Sequence, residues 1–365
     1  MAGPLKNVVV IGGSYVGLPR FAIVPNHEHK AFIPYTGSIS SLPNASQHAV
    51  VRAKVLELYK DHLVLDRPWQ GSTELPFDYA VVATGTRLPA PGTMQDDEKQ
   101  LSIDYFKAYQ QRVKNANRIV IVGGGAVGVQ MASDLKQVYP EKNVTLVHSR
   151  DHLMPLYHEK MDATIRARFE ELGVNLATGS RAVVPAGGFP IEGENLEVEL
   201  KDGRKIPADL IIPATGQIPN NQFLDKLEPS PDHEILNKAN GFINIRPTLQ
   251  FNDPNYSNLY ACGDIADTKA HKAARPGMAQ ARVVAENIVA MIQGKEPVEK
   301  ITVSPPAIHL TLGLTKNMIF RNPDVANGQT EPTINMKDDG AEDMNITGVW
   351  ERRGIKVKQP SEYHL

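Results

Sequence analysis

Glycines at positions 123, 125 and 128 have the spacing with which a strand-to-helix turn binds a dinucleotide, in the run Gly123-Gly124-Gly125-Ala126-Val127-Gly128. The first glycine allows a tight bend, the second lets the backbone approach a pyrophosphate, and the third lets the helix pack on the strand. The helix N-terminus then points at the anion. Because a strand pattern precedes the run and a helical pattern follows it, dinucleotide binding is favoured over a purely structural turn.

The residues after the next predicted strand indicate which dinucleotide binds. An NAD site places an acidic residue about 20 residues beyond the glycines, where it binds the ribose 2′-hydroxyl. Here the predicted strand Asn143–Val147 is followed by His148-Ser149-Arg150, with no acid before Asp151. Ser149 and Arg150 can instead bind a 2′-phosphate, so the sequence favours NADPH over NADH. The alternative is that Arg150 is only a solvated loop charge.

A second glycine turn, Gly12-Gly13-Ser14-Tyr15-Val16-Gly17, follows the apolar strand pattern at Lys6–Ile11. Ser14 replaces the central glycine and is still small, so cofactor binding is expected at Gly12, Gly13, Ser14 and Gly17. Prolines at positions 19, 25 and 34 exclude a regular helix over residues 18–37. This unit therefore lacks the crossover helix and second strand of a Rossmann unit, on the order of 30 residues.

Two predicted strands end in the tripeptide Ala-Thr-Gly, at Ala83-Thr84-Gly85 and at Ala214-Thr215-Gly216. Each half of the chain thus opens with a glycine turn and closes on this tripeptide, which indicates an internal duplication. Four of these residues are candidates for contact with a cofactor, namely Ala83, Thr84, Gly85 and Gly216.

A further strand pattern, Asn258–Ala261, leads through Cys262 into Gly263-Asp264. The Asp264 carboxylate can accept hydrogen bonds from a polyol such as the ribityl chain of a flavin, and Gly263 leaves room for it. Helical spacing resumes at Met278–Ile288, and the N-terminus of that helix can stabilise negative charge on a reduced flavin ring. Cys262 itself is interpreted as a small core residue rather than a nucleophile.

Strands that alternate with helices predict parallel sheets, and the fold class is therefore α/β. We expect two Rossmann-like dinucleotide-binding domains and a small C-terminal α+β region. Residues 1–113 and 235–300 are expected to bind FAD, and residues 114–234 to bind NAD(P)H. The C-terminal region spans 301–365, and its polar tail after about residue 323 is expected to be rich in loops.

The composition excludes several classes of protein. The 365 residues include 39 Lys and Arg against 41 Asp and Glu, and this near-neutral balance argues against a nucleic-acid binder. A mean hydropathy of −0.29 without a long apolar run predicts no membrane-spanning helix. One cysteine excludes a disulfide scaffold, a zinc cluster and a CxxC redox pair, and no metal site is expected. The N-terminus shows no secretory leader, so a cytoplasmic protein is expected, with peripheral membrane contact left open.

Together these motifs resemble the two-dinucleotide-binding-domain flavoprotein family, and in particular its AMID-like branch related to ferroptosis suppressor protein, in the fungal type. The resemblance rests on the two glycine turns, the two Ala-Thr-Gly tripeptides and Cys262-Gly263-Asp264. It implies FAD between the first glycine turn and the Gly-Asp strand, with NADPH or NADH on the second glycine turn. Hydride would pass to the flavin, and electrons to a quinone-like, polyketide-like or other small acceptor, in one reading as a tailoring step of secondary metabolism.

The resemblance also implies two side chains near the flavin and nicotinamide rings, and the loss of one expected contact with FAD. Lys272 stands where relatives keep a lysine that approaches the flavin. Gln130 stands where relatives commonly have a glutamate near the nicotinamide, so it keeps hydrogen bonding without the charge. The missing crossover removes the acid expected on the FAD adenosine ribose. The alternative function is therefore a truncated, non-catalytic NAD(P)-binding remnant that has lost FAD.

Overall fold

A computed structural model of the protein describes residues 5–13, 18–40, 42–94, 96–190 and 192–364. The strands, in chain order, are β1 (Val8–Ile11), β2 (Val55–Leu58), β3 (His62–Trp69), β4 (Ser72–Pro76), β5 (Tyr79–Val82), β6 (Thr86–Arg87), β7 (Arg118–Val122), β8 (Asn143–Val147), β9 (Asn175–Ala177), β10 (Glu192–Glu199), β11 (Lys205–Pro213), β12 (Ile218–Pro219), β13 (Leu259–Ala261), β14 (Ala307–Thr311), β15 (Asn317–Arg321) and β16 (Thr333–Lys337). The helices are α1 (Leu18–Phe21), α2 (Thr36–Ser40), α3 (Lys99–Asn115), α4 (Ala126–Val138), α5 (Glu159–Leu172), α6 (Ala274–Ile292) and α7 (Thr347–Arg352).

The chain divides into two compact units. Unit 1 comprises residues 1–16, 51–87 and 217–304, and unit 2 comprises residues 17–50, 88–216 and 305–365. Residues 18–50 and α3 therefore belong to unit 2, although they fall in the range 1–113 in which FAD binding was expected. The assignment of a cofactor to each range stays a prediction.

Unit 1 contains a parallel sheet with the strand order β1-β5-β13 and an antiparallel sheet with the order β2-β3-β4. The apolar runs of β5 and β13 are buried on both faces, which is typical of parallel strands. Helix α6 packs on one face of the parallel sheet through Val284 and Ile288, against Val81 and Tyr260. Cys262 belongs to the same apolar cluster and is buried, as expected for a core residue.

Unit 2 is built on a sheet with the order β10-β11-β7-β8-β9, in which β10 is antiparallel to β11 and the other pairs are parallel. Helix α4 connects β7 to β8, as a crossover between adjacent parallel strands must. Its apolar side chains share one core cluster with β7 and β8. The expected α/β class is thereby confirmed, and the bounds of β8 match the predicted strand.

The segment 18–40 contains only short helical pieces, α1 and α2 with a 3₁₀ turn at Glu28–Ala31, in agreement with the prolines. It is anchored within unit 2 by Arg20, whose side chain is fully buried against Asp134 of α4. Buried Phe21 joins the same core as α4. The segment is therefore a packed part of unit 2 and not a linker.

The C-terminal region forms an antiparallel sheet, β14-β15-β16, followed by α7. The tail after residue 323 is rich in loops, as expected, and its described part also contains one short strand, β16, and one short helix, α7. Trp350 of α7 is fully buried, and its Nε1–H donates to the Lys30 carbonyl at 2.9 Å. No helix formed by the described ranges has both the length and the hydrophobicity needed to cross a membrane.

Candidate functional site

The first glycine of each glycine turn packs against the alanine of an Ala-Thr-Gly tripeptide. In unit 1, Gly12 has φ +107°, and a Cβ there would lie 2.5 Å from the Ala83 carbonyl oxygen. In unit 2, Gly123 has φ +131°, and a Cβ there would lie 2.2 Å from the Ala214 carbonyl oxygen. Both contacts leave no space for a side chain, so the duplication seen in the sequence is repeated in the packing.

The other glycines of the second turn differ in what surrounds them. A Cβ on Gly128 would lie 1.9 Å from the Gly123 carbonyl oxygen, so this glycine is required for α4 to pack on the turn. A Cβ on Gly125 would meet no described atom within 4 Å. Gly125 precedes α4 as its N-cap residue, and no side chain caps this helix end. The N-terminal amides of α4 thus face an open space in which an anion can bind.

His148 contacts the same turn, although the sequence did not single it out as a binding residue. Its Nδ1 accepts the Gly124 amide at 3.1 Å, and the Gly124 carbonyl accepts the Met154 amide at 2.9 Å. Because Nδ1 accepts, Nε2 carries the proton of the neutral ring. Nε2 is buried, with no partner in hydrogen-bonding geometry among the described residues. His148 directly follows β8, 20 positions after Gly128, which is the position of the acid in an NAD site. This spacing alone could have identified it as a candidate binding residue.

The surroundings of His148 keep its ring neutral. Burial lowers its pKa, and the positive charge of Arg150 lowers it further, against smaller opposing effects of the His152 backbone and Asp162. Ser149 is half-buried and Arg150 is exposed. The Arg150 guanidinium makes no hydrogen bond or ion pair within the described ranges, so it is available to an anion.

Gln130 lies on α4, one turn beyond the glycines, and is half-buried. Its amide nitrogen is 3.6 Å from the Met344 sulfur, within unit 2. Thioether sulfur is a weak acceptor, so this contact leaves most of the hydrogen-bonding capacity of Gln130 unused.

In unit 1, Asp264 follows Gly263, which has φ +75° and donates its amide to Gln280 at 2.7 Å. Burial raises the pKa of the Asp264 carboxyl, and the charges of Lys272 and His271 oppose that rise. No described group donates a hydrogen bond to this carboxylate, which is only half-buried. It is therefore free to accept hydrogen bonds from a polyol.

Lys272 lies in the same part of unit 1. Its ammonium donates to the Ala266 carbonyl at 2.5 Å and stands 4.0 Å from the centre of the Phe242 ring. Burial lowers its pKa, while Asp264 and Asp267 raise it. Helix α6 begins at Ala274, four residues earlier than the spacing predicted, without a side-chain cap.

The first Ala-Thr-Gly tripeptide is hydrogen-bonded to Asn220, which directly follows β12. Thr84 Oγ1 donates to the Asn220 carbonyl at 2.8 Å, and Asn220 Nδ2 donates to the Thr84 carbonyl at 3.0 Å. Gly85 has φ +58°, and its carbonyl accepts the Asn220 amide. Gly216 of the second tripeptide also has positive φ, at +102°. Gly13 is exposed, whereas Ser14 and Gly17 lie outside the described residues.

Comparison with known proteins identifies the family of the chain. The model of the family described as pyridine nucleotide-disulphide oxidoreductase matches residues 30–287. Fe-regulated protein 8 of Mycosarcoma maydis is 34% identical over 359 residues, which cover 93% of this chain and 85% of that protein. Ferroptosis suppressor protein 1 of Mus musculus is 31% identical over 282 residues, covering 74% of this chain and 69% of that protein.

Among solved structures, the ferredoxin reductase for the CYP199A2 system of Rhodopseudomonas palustris superposes with a TM-score of 0.59. The match covers 87% of this chain and 76% of that chain at 18% identity, and it bears on the fold alone.

Proposed function

The chain belongs to the pyridine nucleotide-disulphide oxidoreductase family of FAD-dependent NAD(P)H oxidoreductases, and from that premise we propose that it oxidises NADPH or NADH through a bound flavin. The electrons then reach a small-molecule acceptor. The chain has a single cysteine, so a redox disulfide within the chain is not part of this function.

The nicotinamide dinucleotide binds to unit 2 in this proposal. The observation that carries it is the open space over Gly125, at the uncapped N-terminus of α4. Packing alone explains why Gly123 and Gly128 are glycines, but it does not explain Gly125. A pyrophosphate in that space would accept hydrogen bonds from the first amides of α4 and be stabilised by the helix dipole.

The residues after β8 favour NADPH over NADH. Arg150 presents a guanidinium without a partner among the described residues, Ser149 adds a hydroxyl, and neutral His148 stands where an NAD site has a carboxylate. A carboxylate would repel a 2′-phosphate, whereas Ser149 and Arg150 can donate to one. We assign adenosine ribose recognition to Ser149 and Arg150, with His148 beside them.

The flavin binds to unit 1. Asp264 is a half-buried carboxylate to which no described residue donates a hydrogen bond, which fits the hydroxyls of a ribityl chain, and Gly263 leaves space beside it. Gly12, Gly13, Ser14 and Gly17 are assigned to the first glycine turn's contact with the flavin phosphate. We assign further contacts with the cofactors to four residues of the two Ala-Thr-Gly tripeptides, namely Ala83, Thr84, Gly85 and Gly216.

The flavin, when bound, supplies the chemistry of hydride acceptance and electron release. Lys272 is assigned to the flavin ring, where its positive charge would stabilise the negative charge of the reduced form. Gln130 is assigned to the nicotinamide, which it can orient by hydrogen bonds without adding charge. The acceptor is proposed to be quinone-like or polyketide-like, which includes a tailoring role in secondary metabolism.

The alternative is a non-catalytic NAD(P)-binding protein without flavin. The observation that favours it is the sheet of unit 1, in which no described strand pairs with the outer edge of β1. Absorbance spectroscopy of the purified protein, before and after anaerobic addition of NADPH or NADH, tests the two functions. A flavin spectrum that bleaches supports the oxidoreductase, and a colourless protein that cannot be loaded with flavin supports the alternative.

A further inference from the structure

The duplication within the chain allows a direct comparison of β1 with β7. Counted back from Gly12 and Gly123, Val8 and Val10 of β1 correspond to Ile119 and Ile121 of β7. Val8 and Val10 are 43% and 61% exposed, whereas both isoleucines are 0% exposed. On the opposite face the two strands are more alike, because Ile11 and its counterpart Val122 are both buried, although Val9 is half-buried where Val120 is buried.

The difference has one cause. Ile119 and Ile121 are covered by α4, whose Val129, Ala132 and Leu135 lie in the same core cluster, and β8 pairs with the outer edge of β7. In the described part of unit 1, β1 pairs with β5 alone, and no helix covers Val8 and Val10. No described residue of unit 1 therefore occupies the position of a crossover helix or of a second strand.

Those two elements carry the contacts to the phosphates and to the adenosine end of a dinucleotide. In a complete unit, the N-terminus of the crossover helix binds the pyrophosphate, and the second strand ends in the acid that binds the adenosine ribose. Groups that suit the other end remain in unit 1, because no described residue donates to the Asp264 carboxylate and the Lys272 ammonium is partly buried nearby. The described part of unit 1 thus keeps groups suited to the isoalloxazine and ribityl end and lacks the two elements that serve the adenosine end.

We propose that unit 1 recognises a flavin through its isoalloxazine and ribityl groups, so that FMN binds about as tightly as FAD. This inference rests on the proposed function and specifies its cofactor class. A single hydrogen bond between a carboxylate and the adenosine ribose contributes roughly 10-fold to 100-fold in affinity. A chain without that contact gains little from the adenosine half.

The test is a titration of the flavin-free full chain with FMN and with FAD, followed by flavin fluorescence. Dissociation constants that differ by less than about tenfold support the inference, since one lost charged hydrogen bond accounts for at least that factor. FAD that binds more than about tenfold tighter than FMN overturns it, because the adenosine then has a site of its own. Failure of both flavins to bind also overturns it.

Two further measurements separate this inference from the proposed function. Asp264→Asn is expected to weaken FMN and FAD by the same factor, while Asp225→Asn, an exposed carboxylate of unit 1, should change neither. Absence of an effect at Asp264 contradicts the inference. Bleaching of bound FAD by NADPH reports on the proposed function independently. FAD that binds much more tightly than FMN and is bleached by NADPH would overturn the inference but support the proposed oxidoreductase.

Discussion

Arg20 and Asp134 form an ion pair in which both side chains are completely buried. The guanidinium donates from Nε to one carboxylate oxygen at 2.9 Å and from Nη2 to the other at 2.7 Å. It also donates to the carbonyls of Gly313 and Ala341. One side chain thus connects the segment after the first glycine turn, α4 and the C-terminal region within unit 2.

Arg20→Met is expected to destabilise the protein by about 3–5 kcal/mol, because it leaves the Asp134 carboxylate buried without a counter-charge. The measurement is urea denaturation followed by circular dichroism. Arg20→Met combined with Asp134→Leu should recover a large part of the loss, since no unpaired carboxylate remains. Equal destabilisation in the single and double variants would show that the carbonyl contacts of Arg20 matter more than the charge.

Two glycines of the second turn should respond to alanine in opposite ways. Gly123→Ala is expected to cost about 1–3 kcal/mol of stability or more, from its positive φ and the clash with Ala214. Gly125→Ala should leave stability nearly unchanged, because its φ is −84° and no described atom is near. It should instead weaken NADPH binding, measured by isothermal titration calorimetry. Unaltered NADPH affinity in Gly125→Ala would argue against pyrophosphate binding at this turn.

Arg150→Ala should weaken NADPH by roughly 10-fold to 100-fold, the contribution of one hydrogen bond between charged groups, and NADH much less. Arg181 is a matched control, since it is also an exposed arginine of unit 2, and Arg181→Ala should affect neither nucleotide. Calorimetric titration with both nucleotides checks this. If NADPH and NADH weaken equally, Arg150 does not read the 2′-phosphate.

The stability of the protein should depend on pH through His148. Its pKa is lowered in the folded state, so the unfolded chain takes up a proton first as the pH falls. The contribution of neutral His148 is therefore present above the ordinary histidine pKa and is lost as the pH falls through it towards the lowered value. His148→Asn keeps an acceptor for the Gly124 amide and should reduce this acid sensitivity, as measured by thermal unfolding between about pH 7 and 5. An unchanged pH profile in that variant would contradict the assignment.

Lys272→Met should make a bound flavin harder to reduce, because the variant removes a partly buried positive charge from beside the ring in the proposed site. The midpoint potential is measured by redox titration with dyes. Lys269→Met, at an exposed position five residues before the start of α6 and in the same unit, serves as the comparison. A potential that does not move in Lys272→Met would place the ammonium away from the ring.

Much of the fold follows from local patterns in the sequence. Strand β8 has the predicted bounds because its own apolar run defines it, without help from distant residues. Trp350 was missed because its burial depends on Lys30, more than 300 residues away, and no local pattern records such a contact. The contact of His148 with the second glycine turn was missed for a related reason, since only the fold brings the Gly124 amide beside its ring.

The burial of Cys262 has a practical consequence for labelling. Its pKa is raised to about 11 by burial, so at neutral pH it is a protonated thiol with little nucleophilic character. It is also the chain's single cysteine. A cysteine introduced at an exposed position would therefore react with maleimide dyes much faster than Cys262 does. A fluorophore attached there could report nucleotide or flavin binding without removal of the native cysteine.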